Sequence, residues 1–225
     1  MGQGISEVLT YAIGVAISPI AIIAVIVILF SPRARANGIA FLGGWLIALT
    51  VVSAVGYALA DQSDAATSSS ASDTISTGKV VAGVLLLFLA LRRWRSRPAP
   101  GTEPEMPKLI ARVDSLSPVK ALGAGAVLGG VNPKNLVLTL GAATGVAQLS
   151  ISSGDAVGAL VVFVVLGSIT IAGPVVYYFL AGQRAERELT ALKNWLALHN
   201  AAVRTVVLLV FGVDLIAKGL GPLST

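Results

Sequence analysis

The sequence predicts an all-α integral membrane protein whose six transmembrane helices form two inverted three-helix repeats. Three observations predict it. Apolar residues make up 55 % of the 225 residues and charged residues 12 %, with a mean hydropathy of +0.85. A soluble domain carries about 25 % charged residues, so this chain lacks the charge to cover a globular surface. Six apolar stretches approach the roughly 20 residues that cross about 30 Å of hydrocarbon. The first and fourth of them each carry a polar residue followed by proline near mid-depth.

The stretches run over about 8–30, 38–60, 78–94, 119–141, 155–181 and 202–221. The first has no basic leader and exceeds the apolar region of a signal peptide, so it is expected to stay as a span. Segments 31–37, 92–120 and 182–204 hold thirteen of the sixteen Lys and Arg residues. Segment 61–77 carries Asp61, Asp64 and Asp73 in a Ser/Thr/Ala tract, and 142–154 carries no charge. Basic connections stay in the cytoplasm, which places both termini outside. The first repeat covers 1–94 and the second 118–225. Between them lies a cytoplasmic linker, 95–117, in which Pro98, Pro100, Pro104 and Pro107 predict a flexible connection. Within 183–199, Leu189, Leu192, Trp195 and Leu196 fall on one helical face. That pattern predicts an amphipathic helix linking spans five and six at the interface, or a partner-docking helix.

Several functions are excluded. With no Cys there are no disulfides, thiolate metal sites or thiol relays, and His199 as the sole histidine leaves no His-rich metal site. Neither a metal nor a cofactor is expected, nor is an enzyme: no nucleophile–base pair or phosphate loop is visible. The net charge of +5 comes from loops beside apolar runs, so it points to a membrane rather than to nucleic acid.

The chemistry concentrates at the two polar–proline pairs. Span one reads GVAISPIAIIAV, with Ser18-Pro19, and span four reads LGGVNPKNLVLTL, with Asn132-Pro133. Ser and Asn are good N-caps and Pro fits the first helical position, so each span is expected to stop and restart there. A restarted helix presents unpaired N–H groups and a positive dipole end. Two such ends converging inside a bundle favour an anion. Lys134 and Asn135 follow directly. A lysine at mid-depth costs at least about 2.5–3.5 kcal/mol, so it is expected to face protein or a cavity. The candidate binding residues are therefore Ser18, Pro19, Asn132, Pro133, Lys134 and Asn135.

In span six, Asp214 has Lys218 four residues later on the same face. The two form an ion pair, or Asp214 titrates a coupling proton. Lys79 and Arg204 open spans three and six and read as snorkelling anchors. Gly43-Gly44, Gly123-Ala124-Gly125 and Gly129-Gly130 predict close helix packing. Gly173-Pro174 reads as close packing or a hinge in span five.

These features together resemble the lysine exporter (LysE) superfamily: a polar–Pro pair in span one, Asn-Pro-Lys in span four, a long hydrophilic third loop and outward termini. Within it the chain is most similar to the GAP family, the glycopeptidolipid- and sulfolipid-addressing proteins of actinobacterial envelopes. The likeness covers nearly the whole chain, with VNPKN and GVDLIAKG its most specific pieces. The resemblance implies the LysE-type fold, a homodimer, and a role in moving complex lipids or glycolipids outward. It also implies that Ser18-Pro19 and Asn132-Pro133-Lys134 lie at a central cavity. Amino-acid exporters of the superfamily carry Gly-Pro where this chain has Ser18-Pro19, which weakens an amino-acid substrate. The expected function is an exporter or flippase for an anionic or amphipathic envelope lipid. The alternatives are an accessory protein that couples lipid synthesis to a larger lipid pump, and an exporter of small amino acids or cations.

Overall fold

The computed structural model describes residues 1–66, 70–95 and 116–223. Among these residues every element is helical. The helices are α1 (Gly2–Ala16), α2 (Pro19–Leu29), α3 (Ala34–Ala66), α4 (Ser70–Arg95), α5 (Pro118–Ala126), α6 (Pro133–Ala147), α7 (Ser153–Ala181) and α8 (Gln183–Leu223), with a π-helical turn, Val127–Val131, between α5 and α6. Three of them, in α3, α7 and α8, are long and apolar enough to cross a membrane. The pair α1–α2, bent by 58°, counts as a fourth if it is one span. The stretch 119–141 is divided among α5, the π turn and α6, and 78–94 lies within α4.

Helix α2 is the centre of the molecule. Its sequence, PIAIIAVIVIL, is apolar on every side, and nine of its eleven residues are buried. A helix with no polar face has to be enclosed by others. Helix α8 covers one side of it and α7 and α3 cover others. Helix α1 runs along α7, and α5 and α6 run along α3. Helices α4 and α8 pair antiparallel along their length, with Gly219 against Val80 at one end and Trp94 near Ala202 at the other.

Glycine sets the closest of these approaches. A Cβ on Gly44 would lie 1.9 Å from the Leu122 carbonyl oxygen, and one on Gly125 would lie 2.0 Å from that of Phe41. The α3–α5 crossing is thus backbone against backbone, the arrangement that small residues permit in membrane bundles.

Two connections differ from the sequence reading. Segment 61–77 is largely helical, because α3 runs on to Ala66 and α4 begins at Ser70. The amphipathic stretch 183–199 is continuous with span six in the 41-residue α8, so no separate interfacial helix exists. Leu189 and Leu196 are buried against the bundle, whereas Leu192 and Trp195 stay exposed. The turn from α7 to α8 is made at Gly182, whose φ of +51° suits glycine alone. Helix α7 continues through Pro174. Of the proline-rich linker, residues 96–115 lie outside the described residues.

One buried polar group ties the start of α3 to the segment that leads into α5. Asn37, fully buried at the start of α3, donates from Nδ2 to Ser31 Oγ at 3.0 Å and to the Leu116 carbonyl at 3.1 Å. Asn37→Ala leaves that carbonyl unpaired and is expected to cost roughly 1–3 kcal/mol. Thermal unfolding of the detergent-solubilised protein measures it.

Candidate binding site at two helix breaks

Both polar–proline pairs break their helices. Ser18 is the N-cap residue of α2 with Pro19 at the first helical position, and Asn132 is the N-cap of α6 with Pro133 there. Asn132 Oδ1 accepts the Lys134 backbone N–H at 3.2 Å. Ser18 gives α2 no such cap. Its hydroxyl donates across the bundle to Asn135 Oδ1 at 3.3 Å. The two helix starts therefore meet through a hydrogen bond between residues 117 apart in sequence. The amide of Asn135 also donates to the Leu128 carbonyl at 3.0 Å, inside the π turn. A π turn widens the backbone ladder and leaves carbonyls to be satisfied from outside, and Asn135 satisfies one.

Lys134 is 7 % exposed. Its ammonium donates to the carbonyls of Gly14 and, at 3.2 Å, Ile17. These belong to the last turn of α1, the negative end of that helix. Another carbonyl of the break, that of Ala16, accepts from Thr170 Oγ1 at 2.6 Å and from the Ser18 N–H at 2.8 Å. The exposed backbone of a broken helix inside a membrane has to be satisfied by protein, and here Lys134 and Thr170 do it. Lys134 thus holds the α1 terminus with two of its three N–H donors, which the sequence does not foretell. Thr170 escapes sequence reading altogether, since a lone Thr in an apolar span carries no signal.

Asp214 and Lys218 pair at 3.3 Å, each about one-third exposed. The Lys218 ammonium lies 4.5 Å from the centroid of the Tyr11 ring, a cation–π contact. This pair does not join the helix-break residues. Phe211, one turn earlier on α8, packs on Gly14 together with Leu138, so an apolar layer stands between the pair and Lys134. Lys79 donates to Gln148 Oε1 at 2.7 Å, which links α4 to the end of α6 rather than to lipid. Arg204 is half-buried. Among the described residues no group of His, Asp or Glu side chains could hold a metal.

The fold and this site define a class: an all-helical membrane protein with two interrupted helices joined at their restarts around a buried lysine. The family described as Sap, sulfolipid-1-addressing protein, matches residues 8–221. The chain belongs to that family, so its role concerns lipids at a membrane. No curated protein and no solved structure matches it.

Proposed function

We propose that the protein is an inner-membrane exporter or flippase that carries an anionic or amphipathic envelope lipid or glycolipid outward, as a homodimer with both termini outside. The observation that carries this reading is the meeting of two helix starts, at Ser18-Pro19 and Asn132-Pro133, around a buried lysine. The first turn of α2 has no side-chain cap, and Lys134 keeps one N–H donor beyond its two carbonyl partners. Both suit an anionic headgroup. The family's description, with its sulfolipid, names a lipid of this chemistry.

The packing supports six spans in two inverted repeats of LysE type. The contact of α1 with α7 mirrors that of α5 and α6 with α3, and α4 meets its counterpart α8 directly. Inverted repeats set their binding site at the interface of the halves, near mid-membrane, which is where the breaks lie in this arrangement. Asp214 is the carboxylate available to carry a coupling proton, with Lys218 as its charge partner. Acyl chains stay in the bilayer. The cleft of about 330 Å³ between α4 and α8, lined by Leu87, Leu91, Trp94, Val206 and Leu209, gives them an apolar surface.

A second reading rests on Leu192, Trp195 and Leu198, which α8 leaves exposed. They suit the docking of a lipid-synthesis enzyme or a larger pump by an accessory protein. Purified protein in liposomes separates the two, since an accessory protein moves no lipid alone.

The test of the export reading is a lipidomic comparison of the outer envelope with and without the protein, complemented by wild type, Lys134→Ala and Asp214→Asn. One anionic lipid class is expected to vanish from the surface and accumulate inside. Wild type restores it and Lys134→Ala, at equal expression, does not. An unchanged lipid profile on deletion overturns the reading.

A further inference from the structure

Arg204 takes no part in the arrangement described so far. It lies in the part of α8 apolar enough to span a membrane, Arg184–Leu220. Among the described residues its guanidinium makes neither a hydrogen bond nor an ion pair. Its side chain is half-buried. On α8 it shares a face with Phe211, seven residues on, because two helical turns bring a side chain back to the same side. Phe211 packs on Gly14, and the Gly14 carbonyl accepts the Lys134 ammonium. Two turns are about 10 Å, so Arg204 stands one step from the helix break.

That step leads toward a basic end. Helix α4 finishes in Arg92, Arg93 and Arg95, and its antiparallel pairing with α8 brings this end beside Ala202 and Thr205. Arg204 lies within electrostatic reach of Arg93, and Lys134 within reach of Arg204. Three cations therefore form a file from the end of α4 to the junction of the two breaks. They repel one another, and neither Arg204 nor Lys134 has a carboxylate partner among the described residues. A half-buried guanidinium without a counter-charge among the described residues carries part of the cost of burying a charge, and an anion removes that cost. Arginine suits a sulfate or phosphate in particular, because its planar fork donates two parallel bonds to a pair of oxygens.

We propose that Arg204 is the receiving residue for the cargo headgroup: it binds the sulfate or phosphate ester of an amphiphile before that group reaches Lys134. The amphiphile rests on the export reading, whereas the anion follows from the charge arrangement alone.

The test uses the full chain in phosphatidylcholine nanodiscs and a matched pair of lipids, sulfatide and galactosylceramide, which differ only in the sulfate. Native mass spectrometry measures binding. Wild type is expected to hold sulfatide roughly tenfold more tightly than galactosylceramide. R204Q removes that preference, R204K keeps most of it, and R92Q, on an exposed residue, keeps all of it. A second measurement needs no variant: sulfatide, but not galactosylceramide, protects Arg204 of the wild-type protein from phenylglyoxal, read by peptide mass. Equal binding of the two lipids, or an unchanged preference in R204Q, overturns the proposal. Protection by inorganic sulfate as strong as by sulfatide at the same concentration also overturns it, since the site then takes a free anion. Export from liposomes is measured separately. Sulfatide held through Arg204 with no lipid moved leaves this site standing and removes the exporter. Export at the wild-type rate in R204Q removes this site and leaves the exporter.

Discussion

Lys134→Met is expected to lower lipid export by roughly 10- to 100-fold, the worth of one hydrogen bond to a charged group. The fold should largely survive. Two opposing effects decide this. Methionine leaves the carbonyls of Gly14 and Ile17 without their donor, at about 1–3 kcal/mol each. It also removes a cation whose burial costs at least about 2.5–3.5 kcal/mol. The two largely offset, so the net change in stability lies between a gain of about 1.5 kcal/mol and a loss of about 3.5 kcal/mol. Export assayed in liposomes beside thermal unfolding in detergent reads both quantities. A variant that unfolds readily but exports normally once folded would make Lys134 a brace for α1 and nothing more.

The largest expected loss of stability comes from a single methyl group at Gly125. Its Cβ would stand 2.0 Å from the Phe41 carbonyl oxygen. Neither partner is a side chain that can turn away, so α3 and α5 have to part. Overpacking of this kind costs about 1–3 kcal/mol and occasionally more, and contact with backbone puts Gly125→Ala at the upper end. Gly44→Ala, on the other side of the crossing, should cost as much, and the double variant less than the sum because both open the same gap. The neighbours supply controls. A Cβ at Gly43 or Gly123 meets nothing within 4 Å, so alanine there is expected to stabilise by about 0.5–1 kcal/mol through helix propensity. Thermal unfolding of all five variants in one detergent tests the series. Equal losses at Gly43 and Gly44 would mean that the crossing is looser than described.

What the sequence reveals follows from how local the chemistry is. Ser18-Pro19 and Asn132-Pro133 are legible because the missing proline N–H, and at Asn132 the side-chain cap, act within one turn. That Ser18 reaches Asn135 depends on packing between distant segments, which spacing does not encode. The depth of Lys134 in its apolar stretch announces a buried cation. Its partners are backbone carbonyls of α1, which carry no residue identity and leave no trace in a motif. The π turn before Asn132 is hidden for the same reason. The helix over 183–199 is legible from its apolar face, but its continuity with span six is not, because charges at Arg184, Glu186, Arg187 and Glu188 set it apart from the apolar run it continues into; helix α8 starts as soon as Gly182 turns the chain. A glycine directly after an apolar run is the signal that was available.

The unbroken course of α8 has a mechanical consequence. Its 41 residues make a rod about 60 Å long, twice the thickness of the hydrocarbon. Even at the steepest common tilt, of about 40°, roughly 15 of those residues stand clear of the lipid. Arg204, Phe211 and Asp214 ride on the embedded part of the same rod. A push or a twist applied at Trp195 by anything outside the membrane is therefore delivered to them without a joint to absorb it, and the protruding end serves as a handle on the interior.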